Sequence, residues 1–142
     1  MGYCKLYNLT DKLDPAILLQ LCDDEGHGDL EHEEVRVIWE EAIEAASSLI
    51  DSYCRGRYDV PFATPPRIIK DLCADIAIYE LYSRRGDAIP DNRVERYKNA
   101  MRMLQAVSRG DIELGVTGAS QGSEVSLSSA ARIFTREQMG GY

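Results

Sequence analysis

Residues 23–34 read Asp-Asp-Glu-Gly-His-Gly-Asp-Leu-Glu-His-Glu-Glu and carry the densest set of ligand-bearing side chains in the chain. Laid over the calcium loop of an EF-hand, Asp23 falls at position 1, Gly28 at 6, Leu30 at 8 and Glu34 at 12. Ligation of a hard cation would then fall to Asp23, Glu25, Asp29 and Glu34. Two departures count against it. Glu25 stands where Asp or Asn is usual, and His27, a poor calcium ligand, holds position 5. The plainer reading is an acidic turn that bends at Gly28 and leads into an acidic helix start, where carboxylates suit the positive end of the helix. A calcium-binding helical interaction module built on this loop stands as the alternative function. The two histidines, His27 and His32, do not have the H-E-x-x-H spacing of zinc proteases and read as surface residues.

Other chemistry finds less support. Cys4, Cys22, Cys54 and Cys73 form no C-x-x-C pair. Three of them fall on apolar helix stripes, so buried free thiols in a reducing compartment are expected. Gly115, Gly118 and Gly122 make a glycine-rich stretch without the Lys-Ser/Thr of a phosphate loop. No Ser or Cys sits in a nucleophile motif. The carboxylates lie along charged helix faces, so neither catalysis nor a cofactor is expected. The N-terminus lacks a signal-peptide layout, position 6 is Leu where myristoylation wants Ser or Thr, and no apolar run approaches a bilayer span. Synthesis in the cytosol, away from membranes, is the expectation.

Charge is distributed unevenly. The net charge is −8 over 142 residues. Residues 23–44 hold ten acids and one base, whereas residues 84–102 hold six bases and three acids. An overall acidic chain is not an ordinary DNA binder. Two solvated helix faces would explain the pattern. So would an acidic patch on one copy meeting the Arg93, Arg96 and Arg102 patch on the next.

The elements that would carry these groups are helices. A short helix is expected near residues 9–13 and a second from Asp14, a plausible N-cap, with Pro15 in its first turn. A long central helix runs from Glu33 to Cys54 on the stripe Val35, Ile38, Trp39, Ala42, Ile43, Ala46, Leu49, Ile50 and Tyr53, and Gly56 is expected to end it. Thr64 is read as the cap of the next helix, whose stripe is Ile68, Ile69, Leu72, Cys73, Ile76, Ala77 and Leu81 and whose end is Arg84-Arg85-Gly86. A last helix starts near Pro90-Asp91 and ends at Gly110, with one short strand expected at residues 112–116. The fold class is therefore all-α, a small bundle of about four helices. Residues 1–114 form the helical domain. Residues 115–142 form a Gly/Ser-rich arm that ends in the anchors Arg132, Phe134, Arg136, Met139 and Tyr142, a composition that orders only against something else. In the corner Arg57-Tyr58-Asp59-Val60-Pro61, either Tyr58 packs beneath the turn while Arg57 pairs with a local acid, or both are exposed in a subunit contact.

The order and spacing of several soft motifs carry a resemblance. They are Ile50-Asp51-x-Tyr53, Gly56-Arg57-Tyr58-x-x-Pro61, Pro65-Pro66, and Ala74-Asp75-Ile76-Ala77-x-Tyr79-x-Leu81-Tyr82. They continue as Arg96-Tyr97-x-x-Ala100-x-x-x-Leu104, Gly110, Leu114-Gly115 and Phe134-Thr135-Arg136-Glu137-x-Met139-x-Gly141-Tyr142. In these the chain resembles the small helical head–tail connector (adaptor, or neck) proteins of Mu-like phages and prophages. The resemblance implies a structural virion protein of the neck with no catalytic site. Such proteins form an oligomeric ring, typically of twelve copies, that docks between the portal protein and a tail or stopper protein. The genome passes through the lumen without specific binding. Ring formation needs complementary surfaces, which the charge asymmetry offers, and an acidic subunit lets DNA phosphates slide.

Overall fold

The computed structural model describes residues 2–86 and 88–115. Five helices pack together: α1 (Leu6–Lys12), α2 (Pro15–Cys22), α3 (Glu33–Cys54), α4 (Arg67–Arg85) and α5 (Asp91–Arg109). The fold is all-α, and the arm anchors Arg132, Phe134, Arg136, Met139 and Tyr142 lie outside the described residues. No strand forms over residues 112–115, where one was expected to begin. There the Leu114 amide donates to the Tyr58 hydroxyl at 3.0 Å and so makes no sheet hydrogen bond.

Local chemistry sets most boundaries. Asp14 caps α2 by accepting from the Ala16 amide at 2.9 Å, with Pro15 at the first helical position. Gly86 and Gly110 end α4 and α5 in the left-handed conformation that a Cβ disfavours. Two boundaries differ from expectation. Helix α4 begins at Arg67 with Pro66 as its N-cap residue, so Thr64 caps nothing. The residue before a proline is pushed out of the helical region, and the Pro65-Pro66 pair delays the start. Gly56 keeps an ordinary backbone and does not end α3 as a left-handed residue. Instead the amides of Arg57 and Tyr58 both turn back to the Cys54 carbonyl, at 3.0 and 2.9 Å.

The longest helix is α3, about 33 Å at the standard rise, but the centre of the bundle is α4, which packs against each of the other four. Ile69, Cys73, Ala74, Ile76, Ala77, Ile78 and Leu81 are all fully buried. Ala74 and Ile78 lie outside the stripe read from sequence, and their burial marks a helix covered on several sides. The neighbouring stripes supply the cover: Val35, Ala46 and Ile50 from α3, Leu104 and Val107 from α5, Leu9 from α1 and Leu18 from α2. Burying each Leu or Ile side chain contributes about 1.5–3 kcal/mol against exposure. Polar ties then fix the ends. Arg84 donates to the Leu21 carbonyl and Arg85 to the Gln20 carbonyl, both at 2.8 Å, so two cations sit on the last turn of α2. Asp24 joins them, 2.8 Å from Arg84 and 3.3 Å from Arg85, and the Arg84 hydrogen bond holds its carboxyl below the usual range.

All four cysteines are free and buried. Burial pushes the Cys22 thiol up to about 12 and the Cys54 thiol up to about 11. An acid whose folded pKa is raised contributes stability that is complete below its unfolded value, about 8.5 for a thiol. That contribution is lost as pH climbs toward 11–12. The expected outcome is that none of the four thiols reacts with a maleimide at pH 7 until guanidinium is added, and that melting temperature declines above about pH 9. Rapid labelling of folded protein would contradict the buried thiols.

Candidate functional site

A groove of about 900 Å³ opens between α1 and the first half of α3. Its apolar lining includes Leu6, Tyr7, Val37, Trp39 and Ile43, and Glu31, Glu40, Glu41 and Glu44 add carboxylates to it. Tyr7 and Val37 are the notable surfaces, 56% and 45% exposed. Large apolar side chains left in water beside a groove mark a docking surface more often than chance. Trp39 is fixed by its indole N–H, which donates to the Leu30 carbonyl at 2.9 Å and so holds the chain leading into α3 against the helix. Gly2 borders the groove because a Cβ there would come within 2.2 Å of the Ile43 γ-methyl.

The basic residues singled out in the sequence sit on α5 and do different work. Arg93 is half-buried and donates to the Lys12 carbonyl at the end of α1, so it serves the protomer. Arg96 is half-exposed and lies 3.9 Å from Asp75. Arg102 is exposed and donates to Asn99, one turn back. Asp75, on α4, is 12% exposed and also lies 3.5 Å from Lys12. One buried carboxylate thus ties α1, α4 and α5 with two cations, neither of which is close enough to hydrogen-bond its inner oxygen.

In the corner, Tyr58 is buried and its hydroxyl accepts the Leu114 amide, while Arg57 is exposed. Among the described residues no acid pairs with Arg57. Its guanidinium lies across Gly110, 2.7 Å from where a Cβ would stand, over the negative end of α5. Sequence reading missed the residue at the centre of this corner. The Tyr3 hydroxyl donates to Asp51 and accepts the Phe62 amide at 3.0 Å. Burial, reinforced by Asp51, raises its pKa well above the ordinary tyrosine value. The Tyr3 amide donates to Ser47 Oγ at 2.9 Å, which in turn donates to the Ile43 carbonyl at 2.8 Å. The rings of Tyr3 and Tyr58 flank Phe62 at centroid distances of 5.6 and 6.0 Å, in tilted arrangements that aromatic quadrupoles favour. No local motif signals contacts across more than 40 residues of chain.

The carboxylates of the acidic loop are arranged for the chain itself. Asp23 accepts the amides of Gly26, His27 and Gly28 at 3.0, 2.8 and 2.7 Å, and these bonds, that from Gly28 first, hold its carboxyl below the usual range. Asp29 accepts the Glu31 amide at 3.0 Å, and Glu34 faces His27 Nε2 at 2.8 Å. Among the described residues, Asp23, Glu25, Asp29 and Glu34 do not come together as one ligand cluster. Nor is any helix there long and apolar enough to cross a membrane.

Comparison with known proteins adds a family to this geometry. The family described as Bacteriophage Mu, Gp36 matches residues 3–132. The Mu-like prophage FluMu protein gp36 of Haemophilus influenzae is 33% identical over 107 residues, covering 72% of this chain and 74% of its own. Gene product J of Escherichia phage Mu is 30% identical over 107 residues, covering 71% and 73%.

The corner carries a direct test. Tyr3→Phe strands the buried Phe62 amide and takes a donor from Asp51, and Tyr58→Phe strands the Leu114 amide. Each should cost about 1–3 kcal/mol in urea unfolding, whereas Arg57→Ala should change stability by less than about 0.5 kcal/mol. Equal values for all three would remove the hydroxyls from the account of the corner.

Proposed function

The chain belongs to the bacteriophage Mu Gp36 family, and on that premise we propose that it is a structural virion protein, a head–tail connector. In this reading, copies form an oligomeric ring of twelve between the portal protein and the tail or stopper protein. The genome crosses its lumen, and no catalytic step is involved. The observation that carries the reading is the apolar groove with its acidic lining, beside which Tyr7 and Val37 stand exposed to water. The exposed Arg96 and Arg102 of α5 give a second copy the complementary charge. Rim charges of this kind fix partner and register more than they add affinity. The sequence of the arm adds Arg132, Phe134, Arg136, Met139 and Tyr142, which couple apolar anchors to positive charge and suit a neighbouring subunit or the portal. An acidic subunit keeps DNA mobile in the lumen, because phosphate contacts are what slow it.

Assembly reads this directly. Glu40→Lys with Glu41→Lys, and separately Arg102→Glu, should each leave a folded protein that no longer enters portal-bearing heads in electron micrographs. Mixing the two variants should restore part of the incorporation. Deleting residues 132–142 should likewise leave a folded chain missing from assembled particles. Normal incorporation of all these variants, or absence of the wild-type protein from purified virions, would overturn the proposal.

A further inference from the structure

We propose that His27, His32 and Glu34 form a binding site for a first-row divalent transition metal of the zinc type. Each offers one ligand atom, and the three atoms lie within 4.8 Å of one another, the one such group of three or more among the described residues. The two imidazoles stack at 3.6 Å with 9° between their planes. His27 Nε2 stands 2.8 Å from Glu34 Oε1. A tetrahedral zinc ion, with bonds of about 2.0–2.2 Å to nitrogen and oxygen, sets its ligands between three and four ångströms apart. A bound metal lies in the plane of each imidazole that ligates it, so the parallel rings unstack by side-chain rotation as the group closes on an ion. A fourth position stays open to water, since His27 and Glu34 are 28% and 66% exposed.

The donor set selects the metal. Two imidazoles and one carboxylate suit zinc, nickel or copper, whereas calcium wants an all-oxygen shell. Oxygen donors for calcium are already committed, because Asp23 gives both carboxylate oxygens to loop amides. Those same bonds position His27. They fold the backbone of residues 26–28 round Asp23, with Gly26 and Gly28 at positive φ, and so return His27 to the first turn of α3. A small cavity of about 160 Å³ adjoins the cluster, lined by His27, Glu34, Glu25 and Val35 among others.

Binding carries a structural cost that identifies it. His32 caps α3, its Nδ1 accepting the Glu34 amide at 3.2 Å. Coordination through Nδ1 spends that lone pair on the metal. Coordination through Nε2 moves the ring proton to Nδ1, which then cannot accept. Either way the cap bond is exchanged for a metal bond. The exchange gives up a helix cap, and the positive helix end disfavours a cation, so both effects lower the metal affinity of the site.

The test is calorimetry on the full chain without a histidine tag. Zinc chloride should bind at one ion per chain, while calcium chloride in the same buffer gives no saturable heat. Cobalt chloride should give the visible d–d bands of a four- or five-coordinate site. Losing a ligand should weaken zinc at least as much as the about 10- to 100-fold lost with outer-shell partners. The variants are His27→Gln and His32→Asn; asparagine keeps a capping oxygen, so α3 and the melting temperature without metal should be preserved. Zinc binding unchanged in both folded variants, or absent from the wild type, would overturn the site.

Discussion

Helix α4 keeps seven residues entirely out of water: Ile69, Cys73, Ala74, Ile76, Ala77, Ile78 and Leu81. A helix buried on that many sides cannot rest against a single partner. Each of the other four helices packs against α4. Dry packing here is also what keeps the thiols inert, since Cys73 lies among these residues and Cys22 and Cys54 face the same core. Asp75 is the exception on α4 itself, and it is matched by Lys12 from α1 and Arg96 from α5.

The long-range tyrosine hydrogen bonds solve a different problem. Apolar burial fixes which faces meet but says little about how irregular segments are seated. Residues 2–5, the corner at 55–62 and the stretch after α5 have no helix ladder of their own. Tyr3 bonds α3 through Asp51 and the corner through Phe62, and Tyr58 bonds the stretch after α5 through Leu114. Phe62 fills the space between the two rings. The acidic groove depends on this seating, because one of its walls is the segment that Tyr3 pins.

Much of the helical layout was legible in the sequence, and the reason is periodic. The apolar stripe of α3 and the capping residues of α2 and α5 are local signals, and those elements lie close to where the residues put them. Features set by distant partners were not legible. Thr64 carries the local signal of a helix cap, although the steric rule for residues before proline pushes the start to Arg67. Leu114 looked like strand because its apolar neighbours alternate, yet its amide goes to a tyrosine 56 residues away. The surface divided the same way. Charge blocks on α3 and α5 were visible as composition, but nothing local showed that Arg93 would be used inside the protomer. His27 and His32 stood five apart without a recognised spacing. They stack where Asp23 holds the amides of residues 26–28 and Asp29 holds those of Glu31 and His32, a bond pattern that composition does not encode.

Gly2 meets Ile43 so closely that the order of sequence change becomes constrained. A single methyl group at position 2 would sit 2.2 Å from the Ile43 γ-carbon. Alanine at position 2 becomes tolerable once residue 43 has shrunk to alanine, whereas the reverse order passes through a clash. Valine at 43 does not open that path, because it keeps a γ-methyl on each branch. The two positions are thus sterically coupled: a change at one is admissible or forbidden according to which residue the other carries.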